Sequence, residues 1–340
     1  MEKLLIEKTT ALLKKPQKIV IVAHQNPDGD AIGSSLGLYL FLKSNPTHKV
    51  SIIMPNDFPD FLKWMPAVEN ILIFEKNKSE ASELIHEATL IFTLDFNSFS
   101  RTKEMQNILE TARADFIMID HHQSPDDYAL IAFSDTQMSS TSEMVYHFIC
   151  AVDENFKITK EIATNLYTGI MTDTGSFRYP STTAVTHRVL ADLIDSGAPN
   201  SYIHEKVFDI NTLERMKLLG VALNNLRILP HYKTAYITLS QEELDAHNFK
   251  KGDTEGFVNY ALTVKDIVFA AMFIEDKQEK IIKISFRSKG NFFVNEFSQN
   301  HFHGGGHINA AGGRSYDSLD ETVTHFLQLL SRYKTALNES

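Results

Sequence analysis

The chain has 340 residues, 43% of them hydrophobic and 22% charged, with a formal net charge of −10 and a single cysteine, Cys150. That length exceeds one ordinary core and predicts two domains; the lone cysteine excludes an intrachain disulfide and fits a cytoplasmic location. The acidic balance excludes a general binder of long duplex nucleic acid, whose affinity comes from lysine and arginine displacing counterions, but leaves room for a small anion in a local pocket, with divalent cations supplying positive charge.

The opening MEKLLIEKTTALLKK scatters charges among its leucines and reads as an amphipathic first helix, not a signal peptide. No apolar run approaches the ~20 residues of a membrane span, so no membrane partner is expected. KIVIVAH (18–24), VSIIMP (50–55), ILIF (71–74), TLIFTLD (89–95) and DFIMIDHH (115–122) are short apolar runs of the kind buried on both faces. Helical patterns alternate with them: AIGSSLGLYLFLKS, SEASELIHEA and RTKEMQNILETA. This rhythm predicts an α/β fold with a doubly wound parallel sheet.

From about 139 to 229 the pattern is helical, ending in NTLERMKLLGVALNNLRIL, long enough to bridge two domains. Strands resume with YKTAYITLS, DIVFAAMFIED and KIIKISFRSK, and DETVTHFLQLLSRYKTAL closes the chain as a helix. We therefore expect a first domain over 1–210, a helical linker over 211–231 and a smaller α+β domain over 232–340.

Three predicted strands end on polar residues, at the C-terminal ends where open α/β sheets bind ligands. The first runs into His24, Asp28 and Asp30, the fourth ends on Asp95, and the fifth ends on Asp120, His121 and His122. Asp173 follows a later apolar helical stretch. Each has an ordinary explanation alone: Asn-Pro-Asp-Gly is turn chemistry, and an aspartate after a strand often caps a helix. Together they make a set of carboxylates and imidazoles suited to hard or borderline divalent cations. Without cations such aspartates would repel one another and force their pKa values apart. A pair of ions would resolve this and would suit in-line attack on phosphorus. A helix starting near Ala31 would also aim its amides at the site, while Gly33 and Gly37 would allow close helix–sheet packing.

Four segments, HQNPDGDAIGSS (24–35), LDFN (94–97), DHH (120–122) and TDTGSF (172–177), resemble in order and spacing the motifs of the DHH phosphoesterase superfamily. SFRSKGNFFVNEFSQNHFHGGGHINAAGG (285–313) resembles the substrate-binding stretch of the DHHA1 domain. The combination is most similar to the oligoribonuclease/pAp-phosphatase branch. The resemblance implies two divalent ions, usually Mn²⁺. His24, Asp28 and Asp95 would hold one, and Asp30, Asp95, His121 and Asp173 the other, with Asp95 bridging. His122 would face the substrate phosphate and Asp120 would orient a neighbour. Gly304, Gly305, Gly306, His307 and Arg287 would bind a phosphate or nucleotide. Arg178 is a further phosphate contact or simply a solvated arginine, and His303 departs from the small residue of many relatives. The implied substrates are short oligoribonucleotides and 3′-phosphoadenosine 5′-phosphate (pAp). A linear or cyclic dinucleotide, polyphosphate or pyrophosphate stays open as substrate, and so does a homodimer. Phe292 and Phe302 are candidates to stack a base; the remaining histidines, His325 among them, show no acidic constellation.

Overall fold

The structure, a computed structural model, describes residues 2–209 and 211–340. It divides into two compact units, 1–210 and 211–340.

The first unit is built on six parallel strands: β1 (Lys18–Val22), β2 (Lys49–Met54), β3 (Ile71–Ile73), β4 (Leu90–Leu94), β5 (Asp115–Asp120) and β6 (Ile131–Ser134). Their order is β3-β2-β1-β4-β5-β6, so the winding reverses between β1 and β4. In open sheets that reversal opens a crevice at the strands' carboxyl ends. The helices are α1 (Lys3–Leu13), α2 (Gly29–Lys43), α3 (Lys78–Glu87), α4 (Gln106–Glu110), α5 (Thr141–Val152), α6 (Lys160–Asp173), α7 (Ala184–Asp195) and α8 (Asn200–Phe208). Alternate residues of β1 feed two cores. Ile19 and Ile21 join the side lined by α2, α5 and α6, and Val20 and Val22 join the side lined by α3 and α4. Burial on both faces is why these strands read as unbroken apolar runs.

Gly33 and Gly37 serve a helix–helix contact, not the expected helix–sheet one. A Cβ on Gly33 would lie 2.6 Å from the Asn165 carbonyl oxygen of α6, and one on Gly37 would lie 2.5 Å from Leu166 Cδ2. Three further elements differ from expectation. The helix predicted over 101–112 is a 3₁₀ segment, Phe99–Met105, broken at Lys103 (φ +52°), followed by the short α4. Strand β6 is not among the runs read as strands, while α8 falls within the stretch read as helical. The long helix predicted over 211–229 stops early.

That helix is α9 (Leu213–Asn224), and the stretch after it forms β7 (Arg227–Leu229). Leu218, Leu219 and Ala222 of α9 are buried against Ala235 and Ile237 of the second unit's own sheet, so α9 belongs to that unit's core. The sheet continues with β8 (Thr234–Leu239), β9 (Phe269–Asp276), β10 (Ile281–Ser288), β11 (Gly305–His307) and β12 (Ala310–Ser315), in the order β11-β12-β10-β9-β8-β7. Only the β8–β9 pair is parallel. The remaining helices are α10 (Gln241–Ala246), α11 (Phe257–Thr263), α12 (Val294–His301), α13 (Leu319–Leu330) and α14 (Lys334–Glu339). Phe269, Phe273, Phe286, Phe297 and Phe326 fill the side lined by α12 and α13. Phe292 and Phe302 are 4% and 2% exposed in that same core, which removes both as base-stacking platforms.

Candidate metal centre

The centre forms where β1, β4 and β5 end, at the reversal of the sheet. The chain leaves β1 through His24, which is 6% exposed. Its Nδ1 lies 2.9 Å from the Gln25 carbonyl oxygen, which commits that nitrogen as the N–H donor. Nε2 is thereby aimed at Asp95 Oδ2 (3.3 Å) and Asp28 Oδ1 (4.0 Å). Asp28 is the N-cap of α2, its Oδ1 accepting the amides of Asp30 (3.0 Å) and Ala31 (3.1 Å). Asp30 follows in the first turn and is 1% exposed.

Asp95 follows β4 in the left-handed region (φ +63°), a conformation aspartate tolerates better than most side chains. Asp120 ends β5 fully buried; its Oδ1 accepts the Nδ1–H of His122 at 2.7 Å. His121 Nε2 lies 3.6 Å from Asp95 Oδ1 and 3.7 Å from Asp173 Oδ2. Asp173 is the last residue of α6, before a turn in which Gly175, Ser176 and Phe177 all have positive φ. Three overlapping sets result: His24–Asp28–Asp95, Asp30–His121–Asp173 and Asp95–His121–His122. Within each, one ligand atom per residue falls within 4.8 Å of the others.

The amino end of α5 supplies residues that the motifs did not reveal. The amides of Thr141 and Ser142 donate to Asp30 Oδ2 (2.7 Å) and Oδ1 (2.8 Å), and the Thr141 hydroxyl donates to Asp95 Oδ1 (2.9 Å). Behind them, buried Glu143 accepts hydrogen bonds from the hydroxyls of Ser139 and Thr186. The Ser140–Glu143 spacing is a helix-start signal in the sequence, but it does not say that the helix starts against two carboxylates.

Every ion-pair partner of these carboxylates among the described residues is a histidine. Their pKa values are driven apart. Burial raises Asp30, and the charges of Asp95 and Asp173 push it further up. Burial likewise raises Asp173 to about 7, against the pull of His121. Burial would also raise Asp95, but the His24 hydrogen bond and the charges of His122 and His24 hold it below the usual carboxylate range. For His24 burial favours the neutral ring, yet Asp95 and Asp28 bring it to about 9. His121 reaches about 9 against the same burial penalty, through Asp173, Asp95 and Asp30. The second oxygen of Asp120 is buried with no hydrogen-bond partner among the described residues. Oxygen-rich donors with imidazoles, short of positive charge, fit divalent cations.

Residues 18–170 match the N-terminal domain of the DHH family, and residues 231–335 match the DHHA1 domain. Over 295 residues the chain is 30% identical to the bifunctional oligoribonuclease and PAP phosphatase NrnA of Thermus thermophilus, covering 86% of this chain and 83% of that protein. The chain belongs to the DHH phosphoesterase family. The Bacillus subtilis protein of the same name is 26% identical over 304 residues, 89% of this chain and 90% of that one. A crystal structure of an exopolyphosphatase-related protein from Bacteroides fragilis is 42% identical, with a TM-score of 0.96 over 99% of this chain and 98% of that one. As a DHH-family protein the chain is a metal-dependent phosphoesterase, a hydrolase. No helix among the described residues is long and apolar enough to cross a membrane.

The DHHA1 residues picked out in the sequence fall on the second unit's sheet. Arg287 of β10 stands opposite Ala310 of β12, and Ala310 stands opposite His307 of β11. Directly paired residues project to one face, so Arg287 and His307 flank a small alanine in one row. The glycine run is largely strand: Gly305 pairs with Gly312 and Gly306 with Ala311. A Cβ on Gly304 would collide with the Gly312 carbonyl oxygen, and Gly306 has φ +143°, so both are required by the backbone; at Gly305 the nearest atom, Gln299 Nε2, is 3.6 Å away. Arg178 is exposed and its Nε donates to the Gly175 carbonyl at 2.9 Å, beside the turn that follows Asp173.

Proposed function

We propose that this DHH-family chain hydrolyses short oligoribonucleotides and pAp, with two divalent ions, Mn²⁺ in the first instance, at the centre described above. The observation that carries the reading is the sharing of Asp95: it belongs to the set with His24 and Asp28 and also to the set with His121 and His122. One carboxylate placed between two donor sets is what a paired-ion site needs. His24, Asp28 and Asp95 would hold one ion, and Asp30, Asp95, His121 and Asp173 the other. When bound, such ions supply a water of lowered pKa and offset the charge of a phosphate.

The protein's own groups do the rest. Asp120 fixes the ring of His122 through Nδ1, so proton exchange with substrate falls to Nε2. There His122 donates to a phosphoryl oxygen or to the oxygen leaving phosphorus as the P–O bond breaks. Arg287 and His307, with Gly305 as a floor beside them, hold a phosphate of the nucleotide, and Arg178 is a further phosphate contact. The reading places the protein in the cytoplasm, where its substrates arise.

The test is release of phosphate or mononucleotide with Mn²⁺ from pAp, RNA of two to five residues, a linear and a cyclic dinucleotide, long RNA, pyrophosphate and polyphosphate, with Asp95→Asn as the blank. Turnover of pAp and short RNA, lost in the variant, is expected. Turnover of polyphosphate or pyrophosphate alone would keep the centre and reject the nucleotide assignment.

A further inference from the structure

Glu143 of α5 is 1% exposed and belongs to none of the three donor sets. A carboxylate so far from water costs more than an apolar side chain of like volume unless its partners compensate. Glu143 is the third residue of its helix, where a glutamate commonly turns back to the N-cap amide. Here the side chain bonds elsewhere. Its Oε2 accepts the hydroxyl of Ser139 and, at 3.0 Å, that of Thr186, while His147 Nε2 stands 3.8 Å from Oε1. Ser139 and Thr186 are buried with it. Burial would raise the pKa of Glu143, but His147, Ser139 and Thr186 bring it below the ordinary glutamate value, so it holds these partners as an anion.

Each contact leads toward a ligand of one donor set. The helix turn that carries Glu143 presents the amides of Thr141 and Ser142 to Asp30. Ser139 follows Met138, whose carbonyl accepts the Nδ1–H of His121 at 3.3 Å and so turns Nε2 toward Asp95 and Asp173. The Thr186 hydroxyl also accepts the Thr183 amide at 3.0 Å, which fixes the start of α7 and the far end of the loop that leaves Asp173. Asp30, His121 and Asp173 are one of the three sets. The loop bearing His24 and Asp28 is held by other contacts: the Gln25 amide donates to the Arg101 carbonyl at 2.9 Å, and the Asn26 amide to Asn56 Oδ1 at 2.7 Å.

We propose that Glu143 is a positioning residue for the ion held by Asp30, His121 and Asp173. It ties the start of α5, the loop before it and the start of α7 into one frame, and that frame sets the spacing of three ligands that come from α2, the end of β5 and the end of α6. It acts on this ion and not on the ion at His24 and Asp28. The division into two ions rests on the paired-ion reading above.

The experiment titrates Mn²⁺ calorimetrically into the full chain as wild type, Glu143→Gln, Ser139→Ala and the double variant. Asp173→Asn marks the binding step that belongs to the set, and melting in chelator reports on the fold. Glutamine keeps the volume and removes the charge. In Glu143→Gln that step should be about tenfold weaker, the lower end of what outer contacts of a metal site are worth, with the other step within about twofold of wild type. Ser139→Ala should weaken the same step, and the double variant should be no weaker than the weaker single one, as for groups that act through one contact. Equal weakening of both steps, no weakening of either, or simple addition of the two effects would overturn the assignment. If Glu143→Gln does not fold, Ser139→Ala decides by the same contrast between steps. A single step in the wild-type chain would reject the paired-ion reading. A tenfold loss in Glu143→Gln with an unchanged melting temperature in chelator would then still support Glu143 as a positioning residue, and an unchanged affinity would reject it.

Discussion

Thr141 touches two carboxylates that are almost wholly removed from water. Its amide is fixed by the start of α5, but its hydroxyl is a choice of side chain, and it donates to Asp95, the residue shared between donor sets. Thr141→Val keeps the shape and the amide while deleting that donor. A lost hydrogen bond to a charged group costs about 1.5–3 kcal/mol, so divalent-ion affinity measured by calorimetry should fall by about tenfold or more, and Thr141→Ser should restore it. Unchanged affinity in the valine variant would show that the hydroxyl does not position Asp95. Asp120 makes the complementary case. It is in none of the three donor sets and bonds instead to His122. Asp120→Ala should leave ion affinity within a few-fold of wild type and lower kcat by about 10²-fold or more, the usual worth of a positioned proton donor. A collapse in ion affinity would make Asp120 part of the ion site.

At the scale of elements, α2 matters because its first turn carries Asp28 and Asp30 and its body lies against α6, which ends on Asp173. Gly33→Ala would press a methyl onto backbone atoms of Asn165 and Gly169 that cannot rotate away. Overpacking of this kind costs about 1–3 kcal/mol, readable as a lower urea midpoint, and weaker ion binding should follow as the two helices part. The glycines of the second unit allow a cleaner separation. Gly305→Ala should fold with a near-native melting temperature, whereas Gly304→Ala should not; a raised KM for nucleotides in the tolerated variant, without a change in ion affinity, would tie that glycine to ligand. The same contrast explains what could be read from the sequence. Strands β1, β4 and β5 were legible because burial on both faces leaves only apolar letters. Strands β11 and β12 were not: GGH and AAGGRS carry little strand preference, and they are strands because β10 pairs with β12 and β12 with β11. Strand β6 was lost for brevity, its four residues alternating buried and exposed. Within the centre, the acids and imidazoles announced themselves by type. The α5 amides that hold Asp30 could not, since every residue but proline has one.

For the whole molecule, the proton inventory of the centre sets how stability should respond to pH and to metal. His24 and His121 sit at about 9 in the folded chain against an ordinary 6.5. A raised folded value means that the fold binds protons the unfolded chain has released. Their contribution is therefore complete below 6.5 and is lost as pH climbs through 9. Asp173, raised to about 7, acts in the same direction and has lost its contribution by neutral pH; Asp30 also acts in this direction. Asp95 is lowered, so its contribution is present above the ordinary carboxylate range and is lost only in acid. His48 and His301 are lowered by burial and oppose the trend, but only below 6.5, where the unfolded ring begins to protonate. Between pH 7 and 9 the raised histidines and Asp30 act in the same direction, and the melting temperature in chelator should fall across that window. Divalent ions require the same ligands deprotonated, so binding should release protons and the melting shift produced by added Mn²⁺ should grow from pH 7 to pH 9. Melting curves at each pH, with chelator and with Mn²⁺, check both limbs at once. A metal-free melting temperature that holds level or rises over this range, or an ion-induced shift that shrinks with pH, would mean that protons do not stand in for the cations at this centre.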